Sequence, residues 1–141
     1  SIRFYRASAV QGMLFTNIGA DERGMQILLG STGIAYITTR GGAGVTQDVA
    51  TTAFSLSNSH SLVVAMSPTQ IFVYANGVLQ STTSLIITPL AGTANLYIGR
   101  TVTGIAYLNG LISHFRYDSR IWTADEARAW SQNPISIDSR I

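Results

Sequence analysis

A change of period at Thr123 constrains this chain more than any other feature. The surrounding stretch, Tyr107 to Pro134, reads YLNGLISHFRYDSRIWTADEARAWSQNP. Before Thr123 the side chains alternate: Leu111, Ser113, Phe115 and Tyr117 fall on one face, Ile112, His114, Arg116 and Asp118 on the other. A period of two with aromatic and branched residues predicts a strand. Asn109-Gly110 predicts a tight turn ahead of it, because both residues tolerate positive φ. After Thr123 the pattern is helical. Thr123-Ala124-Asp125-Glu126 spells a capping box, and Trp122 and Ala127 stand where a hydrophobic staple would place them. The helix should end near Gln132, since Pro134 disfavours a helical Asn133.

Upstream, the chain reads as strand after strand. Ile2–Ser8, Met13–Ile18, Gly24–Leu29, Ile34–Arg40, Val45–Ser57, His60–Met66, Gln70–Ala75, Leu85–Thr88 and Ala94–Arg100 all carry β patterns. Turn chemistry separates them: the polar run Gly19–Arg23, the glycines at 41, 42 and 44, and Ser67-Pro68-Thr69. Asn76-Gly77, between Ile71–Tyr74 and Val78-Leu79, is the strongest hairpin motif in the sequence. Short strands with regular turns and one late helix predict an all-β, two-sheet sandwich with a short C-terminal helix. No linker or internal repeat divides the chain, so residues 1–141 form one domain.

Together these segments resemble a known family. The run Gly110-Leu111-Ile112-Ser113-His114-Phe115-Arg116-Tyr117, followed by Thr123-Ala124-Asp125-Glu126-Ala127 and Asn133-Pro134, is similar to the C-terminal signature of laminin-G-like domains. Those domains belong to the concanavalin A-like jelly-roll superfamily. His60–Ala65, Ile71–Gly77 and Leu96-Tyr97-Ile98-Gly99-Arg100 resemble further strands of the same family. The resemblance spans roughly Ser59 to Pro134 and implies a concanavalin A-like jelly-roll β-sandwich. It leaves activity open, because the superfamily includes lectins, glycosidases, adhesion modules and virion proteins.

Composition narrows the choice. With 141 residues the chain is long enough to bury a sizeable core, about 68–70% of its unfolded surface. It has no cysteine, which removes disulfides and thiolate chemistry and fits assembly in the cytosol. No apolar run reaches the ~18 residues of a membrane helix. Ser1 is a small residue of the kind left when an initiator Met is removed, as expected of a mature chain. Charged residues make up 11% of the sequence, far below the ~25% of typical soluble domains. All nine basic residues are arginine. Arginine without lysine, on a surface of Ser, Thr, Asn, Gln and Gly, points to a life in assemblies. The arginines are scattered singly, with no basic stripe to suggest nucleic acid.

Catalytic and metal chemistry find few candidates. Glycosidases need two converging carboxylates, and those the resemblance implies place theirs within one strand, a spacing absent here. Asp125-Glu126 is explained by the helix start. Calcium needs six to eight oxygens, and only Asp48, Asn76 and Asn109 offer themselves. His60 and His114 sit on different strands, so the reading is surface or hydrogen-bonded histidines, not metal ligands. No catalytic residue, metal or cofactor is expected.

The chain is therefore expected to be a non-enzymatic structural virion protein, cementing or decorating a phage capsid. It would be assembled in the host cytoplasm and sit on the capsid exterior, with the major capsid protein and other copies of itself, a homodimer being favoured, as partners. The alternative is a carbohydrate-binding module of a tail fibre or cell-surface protein, with a glycan as partner. Apolar residues near the ends, Ile2, Phe4, Tyr5, Ile135, Ile137 and Ile141, are the candidate partner contacts. Asn76, Gly77, Asn109, Gly110, Trp122, Thr123, Glu126 and Trp130 are expected to be structural. Trp122 and Trp130 are also the candidate sugar-stacking rings of the alternative reading.

Overall fold

The computed structural model describes residues 1–42, 44–88, 95–101 and 107–132. In chain order the elements are β1 (Ile2–Arg6), β2 (Gly12–Thr16), β3 (Arg23–Leu29), β4 (Ala35–Gly41), β5 (Thr46–Ala50) and β6 (Ser59–Met66). Then come β7 (Gln70–Ala75), β8 (Val78–Ser84), β9 (Tyr97–Ile98), β10 (Gly110–Phe115) and α1 (Ala124–Gln132). The strands form two sheets, in spatial order β10-β1-β6-β7-β8 and β5-β4-β3-β2-β9. Every pairing is antiparallel. The sheets stack through Ile2, Phe4, Leu62, Ile71 and Val73 on one side and Leu14, Phe15, Ile27, Leu29, Ile37 and Val49 on the other. Alternation places most of these residues inward and their neighbours outward.

Helix α1 covers the outer face of the first sheet. Trp122, Ala127 and Trp130 pack with Val63 and Tyr74 of β6 and β7, the two indoles edge to face at 5.6 Å. Strand β6 is thus buried on both sides, which explains the unbroken apolar run Leu62–Met66. The capping box forms as the sequence predicts: the Thr123 amide donates to Glu126 Oε2 at 2.8 Å, and the Glu126 amide to Thr123 Oγ1 at 3.3 Å. The last turn of α1 lacks a basic residue of its own. Arg3 of β1 supplies one, donating to the Ser131 carbonyl at 3.1 Å, where the helix dipole favours a cation.

Several expectations are corrected. Bulges upset strict alternation. In β10, Arg3 faces His114 and Phe4 faces Ile112, so Ser113 is an extra residue. Ile112 and Phe115 consequently both pack on the core, although parity puts them on opposite faces. A similar shift around Leu14 lets β2 bury five consecutive residues. Only Thr46–Ala50 of the Val45–Ser57 run is a strand, and Leu85–Thr88 is not one. Asn109-Gly110 is not a positive-φ turn, since neither residue has positive φ. Gly110 is needed for another reason: a Cβ there would overlap the Tyr5 carbonyl. Asn76-Gly77 does make the expected two-residue hairpin, with φ of 51° and 78°, the left-handed pair a type I′ turn requires.

Strand β1 is also not the free strand that the apolar N-terminal residues suggest. It lies between β10 and β6, so neither edge is open for strand addition. Ile2 and Phe4 are buried in the core, which removes them as surface contacts; Tyr5 is half-buried on the outer side. Ile135, Ile137 and Ile141 lie outside the described residues.

Candidate functional site

With the outer face of the first sheet taken by α1, the outer face of the second is the broad surface left. Register lays its side chains out in rows. One row runs Tyr97 (β9), Thr16 (β2), Gln26 (β3), Thr38 (β4) and Asp48 (β5). A parallel row holds Met13, Leu28, Tyr36 and Ala50, and a third Gly24, Arg40 and Thr46. Opposed residues on one face are neighbours, with Cβ atoms ~4.5–5.5 Å apart. Thr16 and Thr38 are buried, Gln26 is half-buried, and Tyr36 and Asp48 are exposed. The face is therefore a polar strip edged by aromatic rings.

At the β9 end the strip gains a cation. Gly99 adopts φ of 76°, a conformation suited to glycine, and turns the chain directly after the strand. Its amide donates to the Leu14 carbonyl at 3.1 Å. Arg100 then forms an isolated antiparallel bridge with Tyr107. The turn brings the Arg100 guanidinium over the Tyr97 ring, 4.9 Å from its centroid, within cation–π range. Tyr107 beside it is 59% exposed.

What distinguishes Arg100 is what it does not touch. Among the described arginines, Arg23, Arg40, Arg116, Arg120 and Arg128 each pair with a carboxylate. Arg3 and Arg6 donate to backbone carbonyls. Among the described residues the Arg100 side chain has the Tyr97 ring and no hydrogen bond or ion pair. Among the described carboxylates, Asp48 likewise stands outside every ion pair.

A second feature is a cavity of about 360 Å³ at one end of the sandwich, where Met25, Ile27, Leu62, Met66 and Phe115 form apolar walls. Its polar rim is occupied with itself. Arg116 pairs with Asp118 at 3.1 Å and lies over Trp122 at 5.3 Å. The Trp122 indole N–H donates to Asp118 Oδ2 at 2.8 Å. Asn17 Oδ1 accepts the Met25 amide at 2.7 Å. Arg120 binds Glu126 at 2.7 Å, and that ion pair with the Thr123 amide holds the Glu126 carboxyl down at about 2. The Arg120 guanidinium is correspondingly pushed up. These contacts join β10 to α1 and leave few groups for a ligand.

The residues singled out by sequence fall mostly outside the strip. Trp122 and Trp130 are buried, 5% and 2% exposed, so neither ring offers a face to a sugar. Asn76 Oδ1 accepts the Ser61 amide at 3.0 Å, and its amide group faces His60 Nδ1 at 3.4 Å. His60 Nε2 meets the Ser55 carbonyl at 2.8 Å, and its ring lies against Phe4 and Phe54. His114 packs edge-on to Trp130. Asp48 and Asn76, two of the three calcium candidates, belong to different sheets. Among the described residues no three His, Cys, Asp or Glu gather as metal ligands would. The cluster of Tyr97, Arg100 and Tyr107 was missed. Its trace in the sequence is the Tyr97-Ile98-Gly99-Arg100 run, where a glycine can put residues three apart on one side.

Comparison with known proteins agrees with the architecture. The family model Laminin_G_3, described as the concanavalin A-like lectin/glucanases superfamily, matches residues 2–128. The CBM40 of Ruminococcus gnavus IT-sialidase, solved bound to α2,3 sialyllactose, is similar in fold with a TM-score of 0.70 at 16% identity, over 92% of this chain and 79% of that one. The same CBM40 in another structure gives 0.71 at 17% identity, over 92% and 79%. A native heptameric SAP-like pentraxin from Limulus polyphemus gives 0.67 at 14% identity, over 92% and 67%. No curated protein matches in sequence.

Proposed function

The chain belongs to the concanavalin A-like lectin/glucanases superfamily, and from that premise we propose that it is a non-catalytic glycan-binding module. The observation that carries the reading is the strip on the second sheet: an exposed tyrosine, and a second tyrosine under an arginine guanidinium that has no hydrogen bond or ion pair among the described residues. Aromatic faces stack on the apolar faces of sugar rings, and unengaged planar donors bind their oxygens. The sialyllactose held by the similar CBM40 supports the reading at the level of ligand class.

Binding without hydrolysis follows from the carboxylates. Asp21, Glu22, Asp118, Asp125 and Glu126 are each held in an ion pair. Of the described carboxylates only Asp48 stands outside an ion pair, and a single free acid does not make the pair that glycoside hydrolysis needs. The capsid-cementing role expected from composition has no counterpart among the similar structures named above, and the glycan reading replaces it as the main one.

A glycan array followed by titration calorimetry tests the proposal. Wild-type protein should retain glycans without cleaving them, and Tyr107→Ala should weaken binding about two- to tenfold. An array with no binder, alongside cosedimentation with purified capsids, would return the capsid reading to first place.

A further inference from the structure

Resting on the glycan-binding reading, we infer that the strip selects sugars bearing a carboxylate, that Arg100 receives it, and that Asp48 fixes the direction in which the glycan lies. Arg100 differs from the other described arginines in having neither an acid nor a carbonyl among the described residues. A guanidinium is a planar fork matched to two carboxylate oxygens. Stacking on Tyr97 holds the fork before any ligand arrives, so less side-chain freedom is lost on binding. Tyr107, across the bridge from Arg100, offers an exposed ring to the same sugar.

The opposite end of the row supplies polarity. Asp48 on β5 is exposed and outside the ion pairs, and it lies four strands from Tyr97. Four spacings of ~4.7–4.9 Å make the strip about 19 Å across. That exceeds the Debye length of about 8 Å at physiological salt, so the two charges act separately. An acidic group is attracted at the β9 end and repelled at the β5 end. Gln26, between them, bonds sugar hydroxyls of either polarity. The acidic sugar therefore sits over β9, and the neutral remainder of the glycan extends toward β5.

The test is calorimetry on matched probes: 3′-sialyllactose against lactose, glucuronic acid oligomers against glucose oligomers, and the methyl ester of each acid. The acids should bind at least about tenfold more tightly than their neutral partners, with affinity falling as salt rises. Arg100→Gln, an exposed substitution checked for folding by circular dichroism, should weaken the acids far more than the neutral probes and so erase that preference. Asp48→Asn should bind the acids at least as tightly as wild type. Equal affinity for acids and esters, or a preference that survives Arg100→Gln, would overturn the inference and leave the glycan-binding reading standing. Tighter acid binding lost on Asp48→Asn would overturn the assigned direction. Failure of every probe and of the glycan array would overturn both the inference and the reading beneath it.

Discussion

At the scale of single residues, backbone geometry sets the sharpest constraints. Gly110→Ala would drive a Cβ into the Tyr5 carbonyl, between two paired strands that have no room to separate. The expected loss is about 1–3 kcal/mol, read as a fall in the urea midpoint. Asn76→Ala removes a residue suited to φ of 51° and the acceptor of the Ser61 amide, a loss of about 1–3 kcal/mol. The two positions were unequally legible. Asn76-Gly77 states its turn in its own side chains. Gly110 owes its identity to a strand more than 100 residues earlier, which no local pattern reveals. Arg100 is a case of the same kind: its proposed role rests on having no carboxylate among the described residues, and that is known only once the other described arginines have found theirs.

At the scale of elements, α1 is the most self-declared piece of the molecule, and its stability should respond to its cap. Thr123→Ala is expected to cost about 0.5–2 kcal/mol. The paired Glu126 carboxyl, at about 2 against an ordinary 4.5, adds a pH dependence of definite sign. Because its folded value is depressed, its contribution is fully present above 4.5 and is lost as pH falls toward 2. Thermal melts of wild type and Glu126→Gln should differ most above pH 5 and converge toward pH 2. Trp130→Ala empties the contact between α1 and the sheet and should cost about 3–5 kcal/mol. The bulges in β2 and β10 were not legible, because an extra residue is defined by the partner strand and not by its own neighbours. Reading Leu111 to Asp118 as strict alternation was therefore right about a strand only as far as Phe115, and wrong about the side on which Leu111 falls.

At the scale of the whole molecule, sandwich and helix could be read from period and turns, whereas strand order could not. Order is decided by which distant edges meet, and neighbouring residues carry no record of it. The arrangement makes the protein one-sided: α1 covers one broad face, and the polar strip faces the other way. Since the chain has no cysteine, one introduced at exposed Ala129 gives a unique anchor on the helix side. On the proposed glycan-binding reading, protein immobilised there should still capture glycans on a biosensor, and protein immobilised through Tyr36→Cys should not.

Strand β1 carries a consequence of another kind. It occupies an interior lane, with β6 and β10 as its flanks, and β10 is synthesised more than 100 residues after it. During translation the strand carrying Ile2 and Phe4 therefore lacks one of its two neighbours until β10 has been made. Closure over such sequence distances is slow, with refolding from urea expected on the order of milliseconds to seconds.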